Sequence, residues 1–212
     1  SSAASDVYKR QLLGRPSEDD SLPGKHAGIS SLADVGDLAH LMSSQARSRD
    51  GLVGIHHSEN EHENIEKLLQ LNPDFVVHLC HATDEDLEKL KESNISVVVC
   101  PRSNDYFGNR PPLEKMIEIG LDLGFGTDNG MICSVNMLDE IRFIDQNYSS
   151  IGKHKILEIA CFGLNEMFNK DEASRYFNPK LSGWALLSRE ASDNYESVFS
   201  PKTTVLGARW RN

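Results

Sequence analysis

The chain has 212 residues, of which 39% are hydrophobic and 25% are charged, and its formal net charge is −10 at pH 7. This size and composition predict one main soluble domain with a real core. The acidic balance excludes a nucleic-acid interface made of clustered Lys and Arg, and no apolar run approaches the roughly 20 residues that a membrane span needs.

The first 26 residues are predicted to be a disordered leader. Residues 1–11 show no periodicity and resemble translated adaptor sequence, so we expect them to be foreign to the native protein. Residues 12–26 contain Pro16, Pro23, Gly14 and Gly24 and are predicted as loop. No charged and then apolar leader opens the chain, and the cysteines lack Cys-x-x-Cys spacing. Both observations favour a reducing cytoplasm.

From Ala27 onward, strand-like and helix-like stretches alternate, which is typical of βα units in a parallel sheet. The predicted strands are 27–31, 52–56, 74–79, 95–100 and 121–126. The predicted helices are 34–48, 61–71, 84–92 with Thr83 as N-cap, 113–119, 136–146 and 153–168.

These five strands fall short of the eight in a closed barrel. The sequence therefore predicts an α/β fold, a partial (β/α)8 TIM barrel with about strands 4 to 8, over residues 27–178. Residues 179–212 are predicted as the remnant of a small β-sandwich appendage, with strand-like pieces at 183–188 and 203–206.

Four apolar segments of the chain end in polar side chains suited to metal or water chemistry. Because side chains alternate across a strand, His56 and His57 point to opposite faces, and only one of them enters a barrel interior. Strand ends of a parallel barrel converge on one face, so the four segments together predict one catalytic site. Each segment alone has an ordinary interpretation as a core histidine, a turn or a helix cap. The segments are Ile-His56-His57-Ser-Glu59, Val-Val-His78-Leu-Cys-His81, Cys100-Pro-Arg-Ser-Asn104 and Gly-Phe-Gly-Thr-Asp128.

The residue types in these segments indicate particular roles. His56, followed three residues later by Glu59, places an imidazole ligand at a strand end and a carboxylate in the adjoining loop. A strand-end position favours His78 as the functional residue over His81, which fits loop ordering as well as it fits a substrate contact. Asp128 can bind a cation and accept a proton, with an Asx turn as the alternative.

Together, these motifs resemble the second half of the amidohydrolase superfamily, over residues 27–168. The resemblance is to the branch of chlorohydrolases, cytosine and guanine deaminases, and S-adenosylhomocysteine or methylthioadenosine deaminases. It implies that His56 and Asp128 bind the metal. It also implies that Glu59 shuttles protons, that His78 polarises the bound water or substrate, and that Asp128 acts as general base.

The resemblance further implies one divalent metal ion, with zinc favoured and iron or manganese acceptable. One ion is favoured over two because no lysine stands at a strand end, where it would bridge a pair. Position alone makes His81, Arg102 and Asn104 candidate substrate contacts. The chain contains no His-x-His pair, which family members carry on the first barrel strand, so we expect a gene truncated at its 5′ end.

The predicted function is deamination of a nucleobase, nucleoside or adenosyl thioether by metal-activated water. Two alternatives stay open: a truncated or decayed fragment without catalysis, and a hydrolase of amide or carbon–halogen bonds with the same metal–water chemistry. The expected partner is a small-molecule substrate, with no nucleic acid and no membrane. The sequence leaves the oligomeric state open, a homo-oligomer included.

Overall fold

The computed structural model describes residues 13–14, 24–164 and 184–209. Six of the described strands form one parallel sheet in which spatial order equals chain order. All carboxyl ends of these strands therefore lie along the same edge. The strands are β1 (Leu13–Gly14), β2 (His26–Ile29), β3 (Val53–His57), β4 (Phe75–His78), β5 (Ser96–Val99) and β6 (Leu123–Phe125).

Helices connect successive strands from β2 onward, and two more follow β6. Parallel strands need such crossovers, and the helices cover the sheet with their apolar sides. Val97 of β5 and Leu87 and Leu90 of the preceding helix are all fully buried in the resulting core. The helices are α1 (Leu32–Val35), α2 (Leu38–Ser48), α3 (Ile65–Leu69), α4 (Asp84–Glu92), α5 (Pro101–Tyr106), α6 (Leu113–Ile119), α7 (Met137–Asn147) and α8 (Lys153–Phe162).

The predicted α/β fold with five successive βα strands is confirmed. Helix α6 has the predicted bounds, and α4 begins after Thr83 as expected. The Thr83 hydroxyl accepts the backbone N–H of Asp86, whose carboxylate accepts the Thr83 N–H in return. This reciprocal capping box satisfies two N–H groups that a helix start otherwise leaves unpaired.

Two local predictions are wrong, and one segment forms a helix that its ordinary interpretation did not include. The loop predicted for residues 12–26 includes β1, which is too short to show any periodicity, and β2 already begins at His26. Residues 100–104, for which a turn was the ordinary alternative interpretation, form the start of α5, whose first helical position holds Pro101. The single helix predicted for residues 34–48 is interrupted at Gly36, where a φ of 54° ends α1.

Two strands and one helix form the end of the described chain. Strands β7 (Trp184–Leu187) and β8 (Val205–Arg209) pair antiparallel, close to the predicted pieces. Helix α9 (Asn194–Phe199), which the sequence analysis missed, lies between them. The last helix, predicted for 153–168, ends earlier, because α8 stops at Phe162 and Gly163 has an extended backbone with ψ 162°. The predicted boundary at 178/179 lies outside the described residues, so the domain division stays a prediction. No described helix is both long and apolar enough to cross a membrane.

Candidate active site

The carboxyl edge of the sheet brings three predicted site residues together. The register pairs His56 with Val77, and His57 with His78, across β3 and β4. Nδ1 of His56 lies 3.2 Å from Nε2 of His78, which lies 3.6 Å from Oε2 of Glu59. One ligand atom from each of His56, Glu59 and His78 falls within 4.8 Å of the others. The predicted neighbourhood of these three side chains is therefore present.

The two adjacent histidines at the end of β3 lie on opposite sides of the sheet. His56 faces His78, whereas His57 is 1% exposed and lies beside Glu63, with Nδ1 3.5 Å from Oε2. Burial lowers the pKa of His57, which favours a neutral ring. The strand alternation thus leaves His56 as the imidazole of this pair that is available to the site.

Asp128 follows β6 and is held by a residue of helix α5. The hydroxyl of Ser103 donates a hydrogen bond to Oδ2 of Asp128. The charge of Asp128 also acts on Glu59 and His78: it adds to the burial that raises the pKa of Glu59 and opposes the burial that lowers the pKa of His78. Asp128 therefore belongs to the same electrostatic environment as the cluster on β3 and β4.

The three predicted substrate contacts occupy different settings. His81 is exposed, and Nε2 lies 3.1 Å from Oδ1 of Asn109. The guanidinium of Arg102 donates to the backbone oxygen and the hydroxyl of Ser134. Asn104 is 0% exposed, and its amide donates to Nδ1 of His78 at 3.0 Å. A substrate contact by any of the three stays a prediction.

Several residues at this edge have a backbone conformation that is unusual for side chains with a Cβ. Ser58, His78, Leu79 and Asp128 follow or end strands, and their φ angles are 49°, 78°, 58° and 53°. Positive φ costs little for Asp but more for a bulky residue such as Leu79. Such conformations concentrate where a fold holds functional groups in place.

Burial controls the charges of the central pair. Burial raises the pKa of Glu59, and the nearby Asp128 adds to this while His56 opposes it. Burial lowers the pKa of His78, against the opposing effects of Asp128 and the hydrogen bond from Asn104. A carboxyl group that holds a proton more tightly beside a neutral imidazole is suited to proton transfer near neutral pH.

Sequence reasoning missed one buried carboxylate, Glu140 of α7. Its side chain is 0% exposed, and Oε1 accepts the backbone N–H of Arg102 at 2.9 Å. Among the described residues Oε2 has no hydrogen-bond partner, and the nearest cation is the Arg102 guanidinium at 3.8 Å. Burial raises the pKa of Glu140 to about 7. The only sequence signal was an acidic residue on the apolar face of a helix.

Glu140→Gln is expected to make the protein less sensitive to pH. The raised pKa means that the folded state binds this proton more tightly than the unfolded state. The free energy of unfolding of the wild type should therefore fall as pH rises from about 4.5 to about 7, by up to about 3 kcal/mol. Gln keeps an oxygen for the Arg102 N–H and has no charge to bury.

Urea unfolding at pH 5 and pH 8 measures this effect. The free energy of unfolding of Glu140→Gln minus that of the wild type should be larger at pH 8 than at pH 5. Glu118→Gln, on a side chain that is 72% exposed, is the control and should show no such trend. An equal difference between Glu140→Gln and wild type at both pH values would contradict the prediction.

The donor set at the sheet edge fits a divalent metal ion. Zinc binds imidazole nitrogen and carboxylate oxygen at about 2.1 Å, which puts neighbouring ligand atoms roughly 3.4 Å apart in a tetrahedron. The separations of 3.2 Å from His56 to His78 and 3.6 Å from His78 to Glu59 are close to that spacing. Asp128, the second ligand that the resemblance implies, is not part of this cluster of described residues. Mixed nitrogen and oxygen donors also suit iron and manganese.

Imidazole and carboxylate groups at the carboxyl edge of a parallel α/β sheet are typical of barrel enzymes. The chain belongs to the amidohydrolase family, whose sequence profile matches residues 37–160, more than half of the chain. The resemblance inferred from the motifs is thereby confirmed. Family membership supports the broad class of hydrolases.

Individual relatives give a similar result. A putative aminohydrolase of Archaeoglobus fulgidus is 38% identical over 139 residues, covering 65% of this chain and 41% of that protein. A 5-methylthioadenosine/S-adenosylhomocysteine deaminase of Caldanaerobacter subterraneus subsp. tengcongensis is 40% identical over 73 residues, 34% of this chain and 17% of that protein. The chain thus spans less than half the length of these relatives.

Among solved structures, the fold is similar to the crystal structure of an amidohydrolase from Brucella melitensis. The TM-score is 0.60 with 15% identity, and the match covers 81% of this chain and 46% of that one. This similarity supports the interpretation of the six-stranded sheet as part of an amidohydrolase barrel.

Proposed function

We propose that the chain carries the proton-transfer part of a metal-dependent deaminase that acts on an adenosyl thioether or a related nucleoside. The observation that carries the proposal is the convergence of His56, Glu59 and His78 at one strand edge, with the charge of Asp128 close by. The relative named as a methylthioadenosine and S-adenosylhomocysteine deaminase supports the substrate class.

The metal would be held by His56 and Asp128 together with ligands from outside these residues. When bound, a divalent ion lowers the pKa of a water molecule toward about 7 and so supplies a nucleophile at neutral pH. Zinc is the favoured ion, because it accepts imidazole and carboxylate ligands.

Three side chains of this chain carry out the proton transfers and stabilise the developing charge. Asp128 accepts the proton of the attacking water, with its Oδ2 oriented by Ser103. Glu59, whose pKa is raised by burial, delivers a proton to the ring nitrogen of the substrate. His78 donates a hydrogen bond to the oxygen on the attacked carbon. Asp128 then passes its proton to the amino group, which leaves as ammonia, and Glu59 takes the proton of the new hydroxyl group as the carbonyl forms.

Ammonia release tests the proposal. We would purify this chain and the longest in-frame protein that contains it, add zinc, and assay 5′-methylthioadenosine, S-adenosylhomocysteine, adenine, guanine and cytosine. We expect ammonia from a nucleoside substrate and about one zinc per chain. Glu59→Gln should reduce the rate about 10²-fold or more, because Gln cannot deliver the proton.

Glu61→Gln is the matched control, since Glu61 is exposed and only two residues away along the chain. Its rate should equal that of the wild type. Hydrolysis of amide or carbon–halogen substrates without ammonia from any nucleoside would replace the proposed substrate class. A zinc-loaded protein that hydrolyses none of these compounds would refute the proposal and favour a non-catalytic chain.

A further inference from the structure

The buried amide of Asn104 has a specific relationship to the ring of His78. Asn104 lies in α5, directly after β5, and no part of its side chain reaches solvent. Its Nδ2 lies 3.0 Å from Nδ1 of His78, whereas its Oδ1 has no hydrogen-bond partner among the described residues. An amide nitrogen can only donate, so Nδ1 of His78 must be the acceptor and carry no hydrogen.

The opposite side of the His78 ring supports the same assignment independently. Nε2 lies 3.6 Å from Oε2 of Glu59 and 3.2 Å from Nδ1 of His56. When Glu59 is ionised, its carboxylate only accepts hydrogen bonds, so a bare Nε2 lone pair would face it unfavourably. A hydrogen on Nε2 is attracted by both neighbours.

We propose that Asn104 is a positioning residue that holds neutral His78 in the tautomer with its hydrogen on Nε2. The consequence for catalysis rests on the proposed function, because only this tautomer donates a hydrogen bond into the site. The assignment also determines the neighbouring imidazole. If His78 donates through Nε2, then Nδ1 of His56 accepts and carries no hydrogen.

The alternative is an amide of Asn104 rotated by 180°. Oδ1 would then accept from a hydrogen on Nδ1 of His78, and the Nε2 lone pair would face the Glu59 carboxylate. In that arrangement Nε2 carries no hydrogen, so its attraction to the Glu59 carboxylate and to Nδ1 of His56 is lost. Ser103, the preceding residue, holds Asp128 from the same short helix, so α5 contributes two adjacent positioning side chains.

Nitrogen-15 NMR of the histidine rings tests the tautomer on the metal-free chain. At pH 8 a neutral ring shows one protonated and one unprotonated nitrogen, and long-range couplings to the two ring C–H groups identify which is which. The His78 signals are assigned from their loss in His78→Gln. In the wild type we expect the hydrogen of His78 on Nε2. If it is found on Nδ1, this measurement alone overturns the inference.

Asn104→Asp provides a reversal test with little change in shape. A carboxylate at this position can only accept, so it should move the hydrogen of His78 to Nδ1. Asn94→Asp is the matched control: Asn94 is exposed before β5, at the other end of that strand, and its φ of 52° suits Asp equally well. The control variant should leave the His78 tautomer as it is in the wild type. If folded Asn104→Asp also keeps the hydrogen of His78 on Nε2, the inference is overturned.

Kinetics separate this inference from the proposed function. In the ammonia assay Asn104→Asp should lower kcat by about 10²- to 10⁴-fold with little change in KM, because the wrong tautomer removes a donor while binding surfaces stay in place. Loss confined to KM would contradict the positioning role. The Nε2 tautomer in a protein that releases no ammonia would support the inference and refute the deaminase proposal.

Discussion

Asp128→Asn is expected to lower kcat/KM for ammonia release by about 10³-fold. Asn has the shape of Asp and can still accept the hydrogen bond from Ser103, but it cannot take a proton from water. It is also a weaker ligand for a divalent ion, because it carries no charge. Steady-state kinetics and the zinc content measured on the same sample separate these two effects.

Asp122→Asn is the matched control for this experiment. Asp122 directly precedes β6, at the opposite end of the strand from Asp128, and its Oδ2 accepts a hydrogen bond from the hydroxyl of Ser96 at 2.6 Å. The two aspartates thus flank the same strand and each accepts a hydrogen bond from a serine hydroxyl, but they lie at opposite edges of the sheet. Residues at the amino edge of barrel strands contribute to stability rather than catalysis.

We therefore expect Asp122→Asn to lower the unfolding midpoint in urea and to retain wild-type kcat/KM per folded molecule. Catalysis within about twofold of wild type in folded, zinc-loaded Asp128→Asn would show that Asp128 is neither the base nor a required ligand. A large loss in both variants would indicate that the kinetic effect arises from the strand rather than from the carboxylate.

The parts of the fold that the sequence predicted are those with a local signal. The run Ser96–Val99 is almost continuously β-branched, and Thr83 precedes an acidic first helical turn and is the N-cap of α4, as predicted. Helix α5 was missed because its six residues have no apolar stripe, although Pro101 was an available signal for a helix start. Local patterns thus predict long elements and miss short ones.

The residues of the candidate site also fall into those that the sequence could predict and those that it could not. His56, Glu59 and His78 could be predicted because strand ends converge in any parallel barrel, and the structure places them together. The contact of Asn104 with His78 could not be predicted, since 26 residues separate them and only the packing of α5 joins them. The burial of Glu140 depends on a backbone N–H 38 residues away. The Asn104–His78 contact and the burial of Glu140 both depend on tertiary structure, and no sequence motif indicates either one.

Gly163→Ala is expected to destabilise the fold by about 3 kcal/mol, a large fraction of the stability of a typical domain. Gly163 follows α8, where its N–H bonds to the Ile159 oxygen and the next residue bonds back to Leu123 of β6. An added Cβ would lie 2.5 Å from the Ile159 oxygen and would overlap the Leu123 oxygen more severely still. Because both are backbone atoms, no side-chain rotation relieves the clash.

Gly152→Ala is a closely matched control at the other end of α8. The backbone angles are φ −67° and ψ 145° at Gly152, and φ −64° and ψ 162° at Gly163, so both positions accept Ala conformationally. An added Cβ at Gly152 has no neighbour within 4 Å among the described residues. The two substitutions therefore differ in the room available for the added Cβ and not in backbone strain.

Urea unfolding should show Gly152→Ala within about 1 kcal/mol of wild type. Gly163→Ala should also release β6 from α8 and so disturb Asp128 at the end of that strand. We expect a lower zinc content in whatever fraction of Gly163→Ala stays folded. Equal stability of the two variants would mean that α8 does not approach β6 closely, and the sheet edge that positions Asp128 would then lack its support from this helix.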